Sequence, residues 1–89
     1  MESMRCVISG KVQGVYFRAW TKEQADSLGI KGWVRNISEG RVEVLAQGGE
    51  EPVKEFKTRL IQGSSMSEVK NIECETMDYD KEYSIFEIR

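Results

Sequence analysis

The chain has 89 residues, 39% of them hydrophobic and 31% charged, with a net charge of −2, which suits one globular domain built around one core. The acidic balance sets it against wrapping a polyanion, so no nucleic-acid partner is expected, and its short apolar runs exclude a helical membrane span. Histidine is absent, which removes the commonest general base, the commonest metal ligand and every Ser/His or Cys/His nucleophile pair.

The N-terminal residues Met1-Glu2-Ser3-Met4-Arg5 lack the apolar stretch of a secretory leader, so a cytoplasmic setting is expected. Residues 4–12 alternate loosely, with Cys6, Ile8 and Gly10 on one face and Val7, Ser9 and Lys11 on the other, and are predicted as a strand. A helix is predicted over 19–28, where Thr21, Ala25 and Leu28 share a face; Gly29 stops it and Ile30 packs back. Strands follow at 31–37 and 41–47, joined by the short loop Ser38-Glu39-Gly40. The second helix is announced by Glu50, Glu51 and a first-turn Pro52, carries the stripe Val53, Phe56 and Leu60, and ends at Gly63. A loop over 63–68, a strand over 69–77, a turn over 78–82 and a last strand over 83–88 complete the chain.

This order is the α+β, ferredoxin-like β-α-β-β-α-β pattern with a short fifth strand, its two helices covering one face of a mainly antiparallel sheet. The first two strands are then parallel, with the third between them. Their ends lie at one edge of the sheet, which sets Asn36 beside the loop that ends in Arg18. The first and fourth strands become antiparallel neighbours. Cys6 and Cys74 can therefore bond only if the register places them opposite each other; in a reducing cytoplasm two free thiols are expected. With no C-x-x-C and only two cysteines, neither a redox motif nor a four-cysteine zinc site is available, and no metal or cofactor is expected.

The stretch Gly10-Lys11-Val12-Gln13-Gly14-Val15-Tyr16-Phe17-Arg18 carries the chemistry. It turns from strand to helix through two glycines. Backbone N–H groups in such a loop converge, the first helical turn adds more without partners, and the helix start is electropositive. Arg18 adds a fork that grips two oxygens. From its position alone Arg18 also fits a surface arginine in the first helical turn, but a guanidinium is a poor choice for a positive helix end unless an anion sits there, which points toward a phosphate cradle.

This stretch, together with Gly32-Trp33-Val34-Arg35-Asn36 and Gly40-Arg41-Val42-Glu43, resembles the signature of the acylphosphatase family in order and spacing. The similarity runs from about Cys6 to the last residue. The resemblance implies a small monomeric ferredoxin-like enzyme that hydrolyses the carboxyl–phosphate bond of small acyl phosphates and releases inorganic phosphate, with no metal or covalent intermediate. It implies that Arg18 and the backbone N–H groups of Gln13, Gly14, Val15, Tyr16, Phe17 and Arg18 hold the phosphate, and that Asn36 orients the attacking water. The alternative within the resemblance is a non-catalytic module binding phosphate or carbamoyl phosphate, like the domain that opens larger carbamoyl-transfer proteins.

Other residues have plainer readings. Lys11 reads as an exposed strand lysine and Phe17 as a core anchor, while Trp20 and Trp33 fit either the mouth of the site or a flank of the fold. Glu73, Glu75, Asp78, Asp80 and Glu82 read as a solvated acidic edge. Gly63-Ser64-Ser65 stands where relatives carry Gly-Pro, which predicts a looser loop away from the chemistry; Tyr16 is expected to shape the rim of the pocket. Strand residues Val42-Glu43-Val44-Leu45 lack the stacking aromatics of a ferredoxin-like RNA binder.

Overall fold

The structure is a computed structural model and describes residues 1–78 and 81–89. Strand β1 (Glu2–Lys11) is followed by helix α1 (Phe17–Leu28), strands β2 (Lys31–Asn36) and β3 (Val42–Gly48), helix α2 (Glu50–Gln62) and strands β4 (Glu68–Thr76) and β5 (Phe86–Ile88). The sheet runs β4-β1-β3-β2-β5. β3 lies antiparallel between β1 and β2, β4 is antiparallel to β1, and β5 pairs parallel to β2. The expected ferredoxin-like arrangement is present, with β1 and β2 parallel and their C-terminal ends together.

The alternation of side chains decides which face receives the helices. Met4, Cys6 and Ile8 of β1, Val34 of β2 and Val42, Val44 and Ala46 of β3 are buried in one cluster with Phe17, Ala25, Val53, Phe56 and Leu60 from the helices. Phe86 closes this core, its ring edge-on to Phe56 at 6.0 Å. Each large apolar side chain so enclosed contributes roughly 1.5–3 kcal/mol against exposure.

The opposite face of β3 is covered too, which alternation alone did not foretell. Glu43, Leu45 and Gln47 are all nearly inaccessible. The chain must cross from β4 at one edge of the sheet to β5 at the other, and Gln47 meets it on the way. Its Nε2 donates to Lys81 O at 2.7 Å and to Ser3 Oγ at 3.2 Å, while its Oε1 accepts from the Tyr83 N–H at 3.0 Å. Trp33 Nε1 donates to Tyr83 Oη at 3.2 Å. These bonds hold Tyr83 outside the ladder, so the last strand begins at Phe86 rather than at residue 83.

Several other boundaries move. β1 starts at Glu2, because its pairing with β3 reaches Gly48, and α1 starts two residues early, at Phe17. α1 ends as expected: Gly29 is left-handed, its N–H donates to Asp26 O, and the Ile30 N–H donates to Ala25 O at 2.8 Å, the paired bonds of a Schellman stop. The cysteine expectation is overturned. β1 and β4 pair with Cys6 directly opposite Cys74, Cα to Cα 4.1 Å, and the two are joined as a disulfide. The register that made a bond conditional is the one the fold adopts. Glu73 and Glu75 stand exposed on the edge strand β4, and Asp78 and Glu82 are exposed as well; Asp80 lies outside the described residues.

Candidate functional site

The pairing of β1 with β4 shifts register between Ser9 and Gly10 and continues to Lys11 opposite Glu68, where the strand ends. A Cβ on Gly10 would sit 2.1 Å from Glu68 O, and φ is +127°, so only glycine lets the strand pass this close before it turns away. The loop then takes two left-handed residues, Gly14 at φ 72° and Tyr16 at φ 60°. For tyrosine this backbone is unfavourable, by about 1–2 kcal/mol, and strain of this kind gathers at working sites. Tyr16 is the N-cap of α1 and supplies no side-chain cap, and the first turn contains no acidic residue.

The backbone accounting follows. Trp20 N–H, bonded to Tyr16 O at 2.9 Å, is the first amide of the turn to reach a backbone carbonyl. The amides before it have none to donate to at a helix start. They border a hollow of about 320 Å³ lined by Val12, Gly14, Tyr16, Phe17, Arg18, Ala19 and Ile88. Among the described residues Arg18 brings the one charged side chain of that lining. Its Nη1 lies 3.4 Å from the Arg89 backbone oxygen, the outer limit of a hydrogen bond. Among the described residues no side-chain carboxylate pairs with it, although Arg5 and Arg35 meet Glu43, Arg59 meets Glu55, Lys22 meets Asp26 and Arg89 meets Glu87.

The far wall of the hollow comes from the other end of the chain. Ile88 of β5 pairs with Val34 of β2, and the Arg89 N–H donates to Val34 O at 2.8 Å. Asn36 ends the same strand two residues on. It therefore shares Val34's face of the sheet, the face that carries α1, and its side chain is exposed. Among the described residues it makes no side-chain hydrogen bond. The end of β2 thus lies close to the loop, whose Gln13 reaches the backbone just beyond it, but Asn36 does not form part of the wall.

A family model for acylphosphatase matches residues 4–88. The chain belongs to the acylphosphatase family. The acylphosphatase of Nitrosococcus oceani is 46% identical over 86 residues, which span 97% of this chain and 96% of that one. The crystal structure of acylphosphatase from Bacillus subtilis superposes with a TM-score of 0.95 at 35% identity, covering 100% of this chain and 99% of that one. A part of full-length HypF, solved in its phosphate- and nucleotide-bound form, also matches, with a TM-score of 0.80 and 31% identity over 99% of this chain but only 12% of HypF. The protein is accordingly a hydrolase of acylphosphatase type. Among the described residues no helix is long and apolar enough to cross a membrane.

Within the acylphosphatase signature the structure divides the expected phosphate loop. Gly14, Tyr16, Phe17 and Arg18 line the hollow. The Phe17 ring itself is buried, as a core anchor should be, and the Val15 side chain turns into the core and toward a second hollow. Gln13 does something that its position in the sequence did not signal: its Nε2 donates to Ile37 O at 3.0 Å and to Arg41 O at 2.8 Å. It ties the loop to the β2–β3 connection immediately after Asn36, so the two signature segments are held together by a side chain that does not reach the hollow. Ile88 was equally hidden, since nothing local marks a wall residue seventy positions away. Trp20 stacks on Phe17 at 5.4 Å and flanks the loop, whereas Trp33 lies on the opposite face under Arg35 and Arg89.

On that opposite face Glu43 is held by Arg35 at 2.6 Å and by Arg5. Burial pushes its carboxyl up, but the hydrogen bonds and charges of Arg35 and Arg5 outweigh this and leave it below its ordinary value. These cations are engaged within the fold.

Proposed function

We propose that the chain hydrolyses the carboxyl–phosphate bond of small acyl phosphates by direct attack of water on phosphorus. Arg18 and the backbone N–H groups over 13–18 hold the phosphoryl oxygens, and Asn36 orients the water. The observation that carries this reading is the start of α1: an uncapped, unacidified helix end, two left-handed residues and a guanidinium that meets no side-chain carboxylate among the described residues, all on one hollow. Such a site favours an anion with several oxygens.

The chemistry asks for little else. The attacking oxygen bonds to phosphorus as the bond from phosphorus to the carboxyl oxygen breaks, and its electron pair leaves with the carboxylate. The water's proton passes to a phosphoryl oxygen or to solvent. A carboxylate is a good leaving group, so the reaction needs charge neutralisation and alignment more than a strong acid. An amide both accepts and donates, which lets Asn36 fix a water without acting as a base.

The test is hydrolysis of benzoyl phosphate in EDTA by wild type, Arg18→Ala and Asn36→Ala, each checked for folding by circular dichroism. The expected losses are on the order of 10³-fold or more for Arg18→Ala and 10²-fold for Asn36→Ala. Activity surviving both substitutions would move the site elsewhere. A wild type that hydrolyses nothing, yet is stabilised against heat by inorganic phosphate, would favour the binding-module reading.

A further inference from the structure

A second hollow, of about 310 Å³, adjoins the first and shares Tyr16 and Ala19 with it. It opens on the other side of the Tyr16 rim, between α1 and the loop that follows α2, and its remaining lining is Val15, Trp20, Glu23, Ser64, Ser65 and Met66. Each hollow is near the lower end of the volumes that small molecules occupy.

The two differ in chemistry. The first has Arg18 as its charged side chain, the second has Glu23, and among the described residues no cation lines the second. Tyr16 is 79% exposed and Met66 62% exposed. Large apolar side chains left this open beside a hollow suit an apolar ligand. The Ser64 hydroxyl is buried at the wall and finds no partner among the described residues, although the Ser64 N–H and O are both bonded to Ser67. A hydrogen-bonding group is thus left over beside this hollow.

The geometry points to this trough as the subsite for the acyl group, selecting a neutral, apolar or aromatic acyl chain and rejecting one that carries a second anion. The assignment rests on the phosphate reading of the first hollow. With the phosphoryl group held at Arg18, an acyl group that passes over Tyr16 enters a space whose side walls are the Trp20 ring and the Met66 thioether. A second carboxylate or phosphate on the acyl chain would meet Glu23 with no counter-ion. The loop 63–67, which supplies Ser64, Ser65 and Met66 to this wall, is then a specificity element rather than a remote connection.

The experiment compares kcat/KM for acetyl, benzoyl and succinyl phosphates in wild type, Met66→Ser and Glu23→Gln. Met66 and Glu23 are exposed, so neither change threatens folding. One apolar contact in a pocket is worth about tenfold or more in discrimination when fully enclosed; for an open trough Met66→Ser is expected to lower the benzoyl-to-acetyl ratio about threefold to tenfold. Glu23→Gln is expected to raise the succinyl-to-acetyl ratio about threefold at low salt, and less at high salt, where the repulsion is screened. Ratios that stay at wild-type values in both variants overturn the subsite while leaving the hydrolase reading intact. Failure of wild type to hydrolyse any of the three overturns both, so the two failures are told apart.

Discussion

The two helices of this fold begin in opposite ways. α2 opens with Glu50 and Glu51, and Pro52 contributes no N–H to its first turn, so the positive end is met by carboxylates of the same helix. Neither N-cap residue supplies a side-chain cap, but α1 opens on a strained tyrosine, with no acid and an arginine at its second position. Both lie in one sheet-and-helix sandwich and both present an apolar stripe to one core. One terminus is finished for stability and the other is left electropositive. Under the proposed function the start of α1 is arranged for an anion from outside the chain, since an acid there would have stabilised it at no cost to the core.

The comparison breaks most readily at Arg18. If the guanidinium grips two phosphoryl oxygens, Arg18→Lys keeps the charge but loses the fork, and kcat/KM should fall on the order of 10²-fold with thermal stability unchanged. Wild-type turnover would show that charge alone suffices. A smaller effect comes from giving α1 the acidic first turn of α2. Ala19 is exposed at the third position and borders the hollow. Ala19→Glu should stabilise the helix by about 0.3–1 kcal/mol, raising the melting temperature by a few degrees, and should cut acyl phosphate hydrolysis by at least about tenfold. A gain in stability with full activity would mean that no anion visits that end.

The same contrast marks how much was legible. The candidate site at the start of α1 was legible as a candidate because its signals are local: glycines, a charge in the wrong half of a helix dipole, and a strand-to-helix turn. The neighbourhood of Asn36 followed from topology, because β1 and β2 had to be parallel around β3. What stayed hidden was set by contacts between distant segments. Gln13 reaches the β2–β3 connection, Gln47 meets the crossing strand connection, and Ile88 forms a wall; each is an unremarkable residue by itself. The disulfide was hidden for a different reason. The strand neighbours were foreseen, but a pairing register is settled residue by residue, and the assumed compartment favoured thiols.

A third change asks whether cations engaged within the fold behave unlike Arg18. Glu43 binds Arg5 and Arg35, and its carboxyl is held below the ordinary glutamate value of 4.5. A group whose pKa is lowered on folding adds stability above its unfolded value and loses it as pH falls through the folded one. Wild type should therefore lose stability in acid below about pH 4.5, and Glu43→Gln should show a shallower acid limb. At neutral pH that variant should be weaker by about 1–3 kcal/mol, less than for a fully buried pair because both arginines are part-exposed. Acyl phosphate hydrolysis at 25 °C should be unaffected, since the pair faces away from α1. An acid limb of the same steepness in variant and wild type would assign the transition to other carboxylates.

The smallest effect lies at the terminus that is already finished. Glu51 is exposed in the first turn of α2, and its charge stabilises that end by about 0.3–1 kcal/mol at low salt. Glu51→Gln should lower the melting temperature by a few degrees at low ionic strength and by less as salt is raised, because the interaction is screened at the surface. Hydrolysis should not change, as α2 contributes nothing to the first hollow. The two helix starts then respond oppositely to charge: adding an acid to α1 stabilises and inactivates, removing one from α2 destabilises and leaves activity alone. If Glu51→Gln also impaired turnover, the division between a structural and a working terminus would fail, and the electropositive end of α1 would be one charge effect among several spread over the whole fold.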